Sequence, residues 1–336
     1  MSTGETKEPT TTAATTDDAD KGEELIKITP SFASRLNKRV SLLQRILSFH
    51  ELFPKDYIDL RSSSKLFRNA LRPPPLWTSF PHSNHATLQS LLDRLKELHD
   101  EESSGNMPSV LFIEEGEYGA DGENVRVKIS LSIYGAGREK TTLVGVGLYI
   151  GDQLQPDLNW NDDGIVEIGD LTIQGGKGDG LSAACGMNVT LRRISIVDCQ
   201  GCGLMAVSGG YISCDDLQVI GCGKSGVVAN YKAIITLSGE GTSIQGNGLL
   251  RPEDVEPHFN YRYRIGYRIY YGLHANGSSS KLQLVVPLTK EQVSTNNGGG
   301  GNWGGDKGST IDQVDNDGVV VQVLYEGEDD FSGLFL

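Results

Sequence analysis

The chain has 336 residues, 42 of them glycine, and a formal net charge of −14. An acidic surface of that size disfavours nucleic acid as a partner, and no apolar run approaches the roughly 18 residues that a membrane span needs. The first 24 residues are rich in Thr, Asp and Glu and have no apolar stretch of a secretory signal, so an intracellular location, cytoplasmic or nuclear, is expected.

Residues 1–30 lack hydrophobic periodicity and have too little apolar surface to fold alone, so a disordered tail is expected. Composition then changes. Residues 31–82 have nine Lys and Arg against Glu51, Asp56 and Asp59, a local balance of +6. Val40, Leu43, Ile46 and Leu47 fall at helical spacing, Pro54 breaks the pattern, and Leu60, Leu66, Phe67 and Leu71 resume it before Pro73 to Pro75 end it. The spacing predicts a small helical module whose basic surface suits an acidic partner. A stretch at 83–105 follows, with Leu88, Leu91, Leu92, Leu95 and Leu98 on one face of a short helix.

From about residue 106 the pattern is strand-like, and at its centre a 23-residue unit runs three times without a gap, over 166–188, 189–211 and 212–234. Leu171, Ile194 and Leu217 share one column, Ile173, Ile196 and Val219 another, and Val166, Val189 and Ile212 a third; Gly180, Gly203 and Gly226 form a column of turns. Such a unit cannot bury its apolar side alone, whereas stacking like columns on like columns creates a continuous core. The fold predicted is mainly β, a right-handed parallel β-helix of about six or seven coils over 106–336, preceded by the helical module.

The repeat stops twice. At 248–271 an insertion interleaves Tyr261, Tyr263 and Tyr267 with Arg262, Arg264 and Arg268. The alternation makes a hairpin with one aromatic and one basic side, which either folds down on the rod or presents the Tyr and Arg surface typical of binding hot spots. At 295–308 seven glycines surround Trp303, read as a flexible loop tipped by an aromatic residue that folds either onto a partner or onto a neighbouring coil. Tyr261, Arg262, Tyr263, Arg264, Tyr267, Arg268 and Trp303 are therefore the candidate substrate-binding residues.

Evidence for chemistry within the repeat is thinner. Asp215 and Asp216 stand one coil from Arg192 and Arg193, where opposite charges would stack as a solvated ladder, and Asp179, Asp198 and Lys177 gather near the next bend. Five cysteines, Cys185, Cys199, Cys202, Cys214 and Cys222, argue against a disulfide framework; Cys199 and Cys222 share a column and read as packing, and no metal or other cofactor is expected.

Two resemblances sharpen this reading. The string LLQRILSFHELFPKDYIDLRSSSKLFRNALRPPPLW, within residues 36–80, resembles an F-box, although Lys38-Arg39 stands where that motif usually opens with Leu-Pro. The resemblance implies binding to an acidic Skp-type adaptor and through it a cullin, with Leu42, Leu43, Ile46, Leu47, Pro54 and Leu60 supplying the contact. The order HATLQSLLDRLKELHD, VLFIEEGEY and KISLSIYGAGREKTTLVG resembles the entry to a pectin-lyase-like β-helix. That superfamily implies a rod but not a function. Together they suggest a substrate-recognition subunit of a Skp–cullin–F-box ubiquitin ligase, without catalysis of its own, that holds an unknown protein substrate. The alternatives are a carbohydrate-active β-helix protein, lyase- or hydrolase-like, and a scaffold.

Overall fold

The structure, a computed structural model, describes residues 77–101, 108, 110–119, 124–151, 165–184, 186–248 and 270–327. Strand β1 (Trp77–Phe80) and helix α1 (Leu88–Glu101) precede the first coil, which comprises β2 (Val110–Ile113), β3 (Gly116–Gly119) and β4 (Val125–Val127). Coil two has β5 (Ser132–Gly135), β6 (Thr141–Val144) and β7 (Leu148–Ile150); coil three has β8 (Ile165–Gly169), β9 (Thr172–Gln174) and β10 (Leu181–Ala183). Coil four follows with β11 (Asn188–Arg192), β12 (Ser195–Val197) and β13 (Leu204–Val207), and coil five with β14 (Tyr211–Asp215), β15 (Gln218–Ile220) and β16 (Val227–Asn230). Coil six has β17 (Ile234–Ser238), β18 (Ser243–Gln245) and β19 (Tyr271–Asn276). Coil seven has β20 (Lys281–Val285), the short helix α2 (Lys290–Val293), β21 (Ser294–Thr295) and β22 (Gly301–Gly305), after which β23 (Thr310–Val314) and β24 (Val320–Glu326) close the chain of strands.

Each coil gives one strand to each of three sheets. The first sheet runs β1-β2-β5-β8-β11-β14-β17-β20-β23-β24, the second β3 to β21 and the third β4 to β22, both in coil order. All pairings are parallel except β23 with β24. The architecture is a right-handed parallel β-helix of seven complete coils, and the 23-residue register is its physical repeat: Val189 pairs with Val166 and Ile212, Ile196 with Ile173 and Val219, and Leu204 with Leu181 and Val227. These aliphatic side chains are fully buried, each contributing roughly 1.5–3 kcal/mol by leaving water.

Corners follow from residues that tolerate a left-handed backbone. Between first and second sheets, one residue per coil does this: Asp170, Arg193 and Asp216 at φ of 57°, 50° and 55°. Between second and third sheets the residue is Gly175, Asp198, Gly221 or Gly246; Asp and Gly suit that conformation best. Inside this second corner a polar column continues the cysteines. Cys199 and Cys222 are followed by Asn247 and Asn297: Asn247 Oδ1 accepts from the Cys222 N–H (2.9 Å), its Nδ2 donates to the Val219 carbonyl (3.2 Å), and Asn297 Nδ2 donates to the Ile244 carbonyl (3.1 Å).

Both ends of the rod are covered. Leu88, Leu91, Leu92 and Leu95 of α1 are buried against the first coil. Gln89 satisfies the edge strand of the third sheet, accepting from the Arg126 N–H at 2.7 Å. At the far end Lys290 Nζ donates to the Leu324 carbonyl (2.7 Å), tying β24 down, and stands 4.8 Å above the Trp303 ring.

Candidate functional site: the outer face of the third sheet

Third-sheet strands have three to six residues, so each presents few outward side chains, and the parallel register lines these up: Arg126, Tyr149, Ser182, Met205, Val228, His274 and Gly304. The corner leading into these strands adds a second column in which Asp179 precedes β10 and Ser225 precedes β16. Two polar clusters result.

The first centres on Asp179. It sits half-buried on the corner, and its Oδ1 accepts from the Cys202 N–H at 2.7 Å. Burial raises the carboxyl above the ordinary carboxylate value; the Cys202 N–H and the Lys224 ammonium pull the other way without cancelling the effect. Burial also raises the Tyr149 phenol, and the Asp179 charge adds to that shift. Ser182, paired with Tyr149 across the sheet, is 1% exposed, and its Oγ has no hydrogen-bond partner among the described residues. The neighbouring Cys202 thiol is pushed up to about 12, by burial first and then by Asp179.

The second cluster lies two coils on. Ser225 Oγ is 3.3 Å from His274 Nδ1 and accepts from the Tyr271 N–H at 3.1 Å. Burial pushes the His274 imidazole down, with Asp306 opposing, so the ring is neutral at pH 7. The Tyr271 ring, 5.1 Å from that of His274, lies where a side chain at Gly304 would otherwise stand.

No family model matches the chain, and no curated protein does. Among solved structures it is similar to the catalytic domain of a GH87 alpha-1,3-glucanase in complex with tetrasaccharides. The identity is 16% and the TM-score 0.30, with 71% of this chain and 42% of that chain covered. A likeness at that score assigns neither activity nor substrate, and this chain spans less than half of the matched one. It does correct one expectation: the matched domain is catalytic, so the description of this chain as lacking catalysis of its own is dropped.

Of the residues singled out in the sequence, Leu42, Leu43, Ile46, Leu47, Pro54 and Leu60 of the F-box-like string lie outside the described residues, as do Tyr261, Arg262, Tyr263, Arg264, Tyr267 and Arg268. Trp303 is described. It occupies the inward column of the last coil opposite Leu273 and packs on the core, and its glycine-rich surroundings include strand β22. Its ring therefore closes the end of the rod instead of tipping a loop. The charge ladder forms, with its shortest ion pairs on the preceding coil: Arg192 meets Glu167 and Arg193 meets Asp170, each at 2.7 Å, while Arg192 and Asp215 are register partners. Tyr149, Ser182 and His274 carried no signal beyond polar character at outward strand positions. Only the stacking of coils brings them to one face.

Proposed function

We propose that the chain is a carbohydrate-active β-helix protein, hydrolase-like, whose polysaccharide lies on the outer face of the third sheet around Asp179. One observation carries this reading. Asp179 is a half-buried carboxyl whose burial shifts it toward the protonated form, the state a general acid needs to donate to a leaving glycosidic oxygen. The half-buried Tyr149 beside it offers a hydroxyl and an aromatic ring of the kind a sugar contact uses. The experiment is reducing-end release from a panel of neutral and acidic polysaccharides. Asp179→Asn is expected to lower kcat at least about 100-fold, the usual worth of general acid catalysis, with a melting temperature no lower than that of the wild type. Neither turnover nor binding of any polysaccharide by the wild type, or full activity in the variant, would overturn the reading.

A second reading rests on the F-box-like string at residues 36–80, which favours recruitment of a Skp-type adaptor and cullin with the rod as substrate-holding arm. Affinity capture of the full chain tests it. Recovery of the adaptor should be lost on Ile46→Asp with Leu47→Asp, and undiminished recovery would discard it.

A further inference from the structure

The two ends of the rod are finished differently. At the first coil α1 buries Leu88, Leu91, Leu92 and Leu95, whereas the first half of β24, the last strand, is bare on both faces. Val320 and Val321 are neighbours that point to opposite faces, yet they are 45% and 59% exposed. Val319 and Val323 are exposed as well, so four of the eight exposed large apolar side chains among the described residues fall within five positions. One strand earlier, Ile311 and Val314 of β23 are fully buried. Among the described residues no strand pairs with the far side of β24, where alternate N–H and C=O groups point outward. Edge strands are ordinarily blunted by shortness, Lys or Pro. β24 is the longest described strand and has no Lys, Arg or Pro. Its register against β23 shifts twice, between Ile311 and Asp312 and between Gln313 and Val314. Such irregularities twist a strand, so this edge fits one short strand better than a broad flat sheet.

Charge selects the occupant. The bare valines lie between Asp315 and Asp317 on one side and Glu326 on the other, and residues 312–336 hold seven acids and no Lys or Arg. A second copy paired antiparallel would set Asp317 of one copy near Glu326 of the other, and a parallel pair would set each acid beside its own equivalent. Like charges across a strand pair are destabilising. A strand with the opposite sign at its ends meets no such penalty, and the acidic flanks attract it.

We infer that the free edge of β24 binds one extended segment of another protein, apolar and β-branched along its centre and carrying Lys or Arg at both ends. Backbone pairing and the valines supply the attraction, and the flanking acids choose the partner. Fluorescence anisotropy tests this with the full chain and labelled peptides of about seven alternating Val and Thr residues, flanked at both ends by Lys pairs or by Glu pairs. The Lys-flanked peptide should bind at least about 10-fold more tightly than the Glu-flanked one. Val320→Glu with Val321→Glu should weaken its binding by at least about the same factor, although that variant is more acidic; attraction by charge alone would strengthen it. Asp317→Lys with Glu326→Lys should reverse the preference between the peptides. All four side chains are exposed, so both variants keep the fold, and an unchanged melting temperature verifies it. Failure of both peptides to bind, equal binding of the two, tighter binding by the glutamate variant, or an unaltered preference after charge reversal would overturn the inference. A stable dimer of the wild type at the assay concentration, read by sedimentation, would make a second copy the occupant and overturn it too.

Discussion

Single atoms decide much at the corners. A side chain at Gly203 would meet the Val219 side chain, the Gly226 carbonyl and, at 3.3 Å, Cys222 Sγ. Neighbouring coils confine each of these, so Gly203→Ala should cost roughly 1–3 kcal/mol, the usual range for overpacking, read as a lowered urea midpoint. Asp179 is the residue whose charge state matters most. Its folded carboxyl titrates above the ordinary value, so the fold binds a proton that the unfolded chain has already lost. Its contribution is therefore fully present below the ordinary carboxylate pKa and declines as pH rises through the raised one. Asp179→Asn keeps an acceptor for the Cys202 N–H and removes that decline. The variant should match or exceed the wild type in melting temperature at pH 7, and the difference should shrink below pH 4. A variant less stable than wild type at pH 7 would contradict the account. The sequence displayed Asp179 as one acid among several near a bend; the groups it interacts with are Tyr149, 30 positions earlier, whose phenol it raises, and Lys224, 45 positions later, whose charge opposes its own shift.

Within elements, backbone groups at the second corner have few partners in their own coil. Asn247 is fully buried and links Cys222, Val219 and Asn297 through its amide. Asn247→Ala leaves a buried N–H and a buried carbonyl unpaired, each worth about 1–3 kcal/mol, and thermal unfolding should show a loss of at least about 2 kcal/mol. The cysteine part of this column was legible, since Cys199 and Cys222 differ by one repeat. The asparagine part was not: the offset becomes 25 residues, and then 50 because an insertion and a short helix lie between Asn247 and Asn297. Trp303 shows the same limit. Glycine-rich sequence reads as a flexible loop, yet in the last coil it allows Tyr271 to lie over Gly304 and the tryptophan to seal the core.

At the scale of the molecule, a solenoid must protect two ends. At one end α1 and β1 cover the first coil; at the other, the antiparallel β24 covers β23 and becomes the edge itself. That edge exposes Val319, Val320, Val321 and Val323 at 45–61%, and open apolar edges invite pairing between chains. Val320→Lys with Val321→Lys should lower light scattering of concentrated solutions without shifting the melting temperature; unchanged scattering would show that this edge is inert.

Architecture was determined by the sequence itself, because a period of 23 residues with matched apolar columns has one economical way to bury them; coils three to six keep that spacing and the others stack on them. The same periodicity could not mark a site, since outward positions are free to vary within it. Stacking decided that. It set Tyr149, Asp179 and Ser182 together, because contacts across coils join residues that the chain keeps one or more whole turns apart.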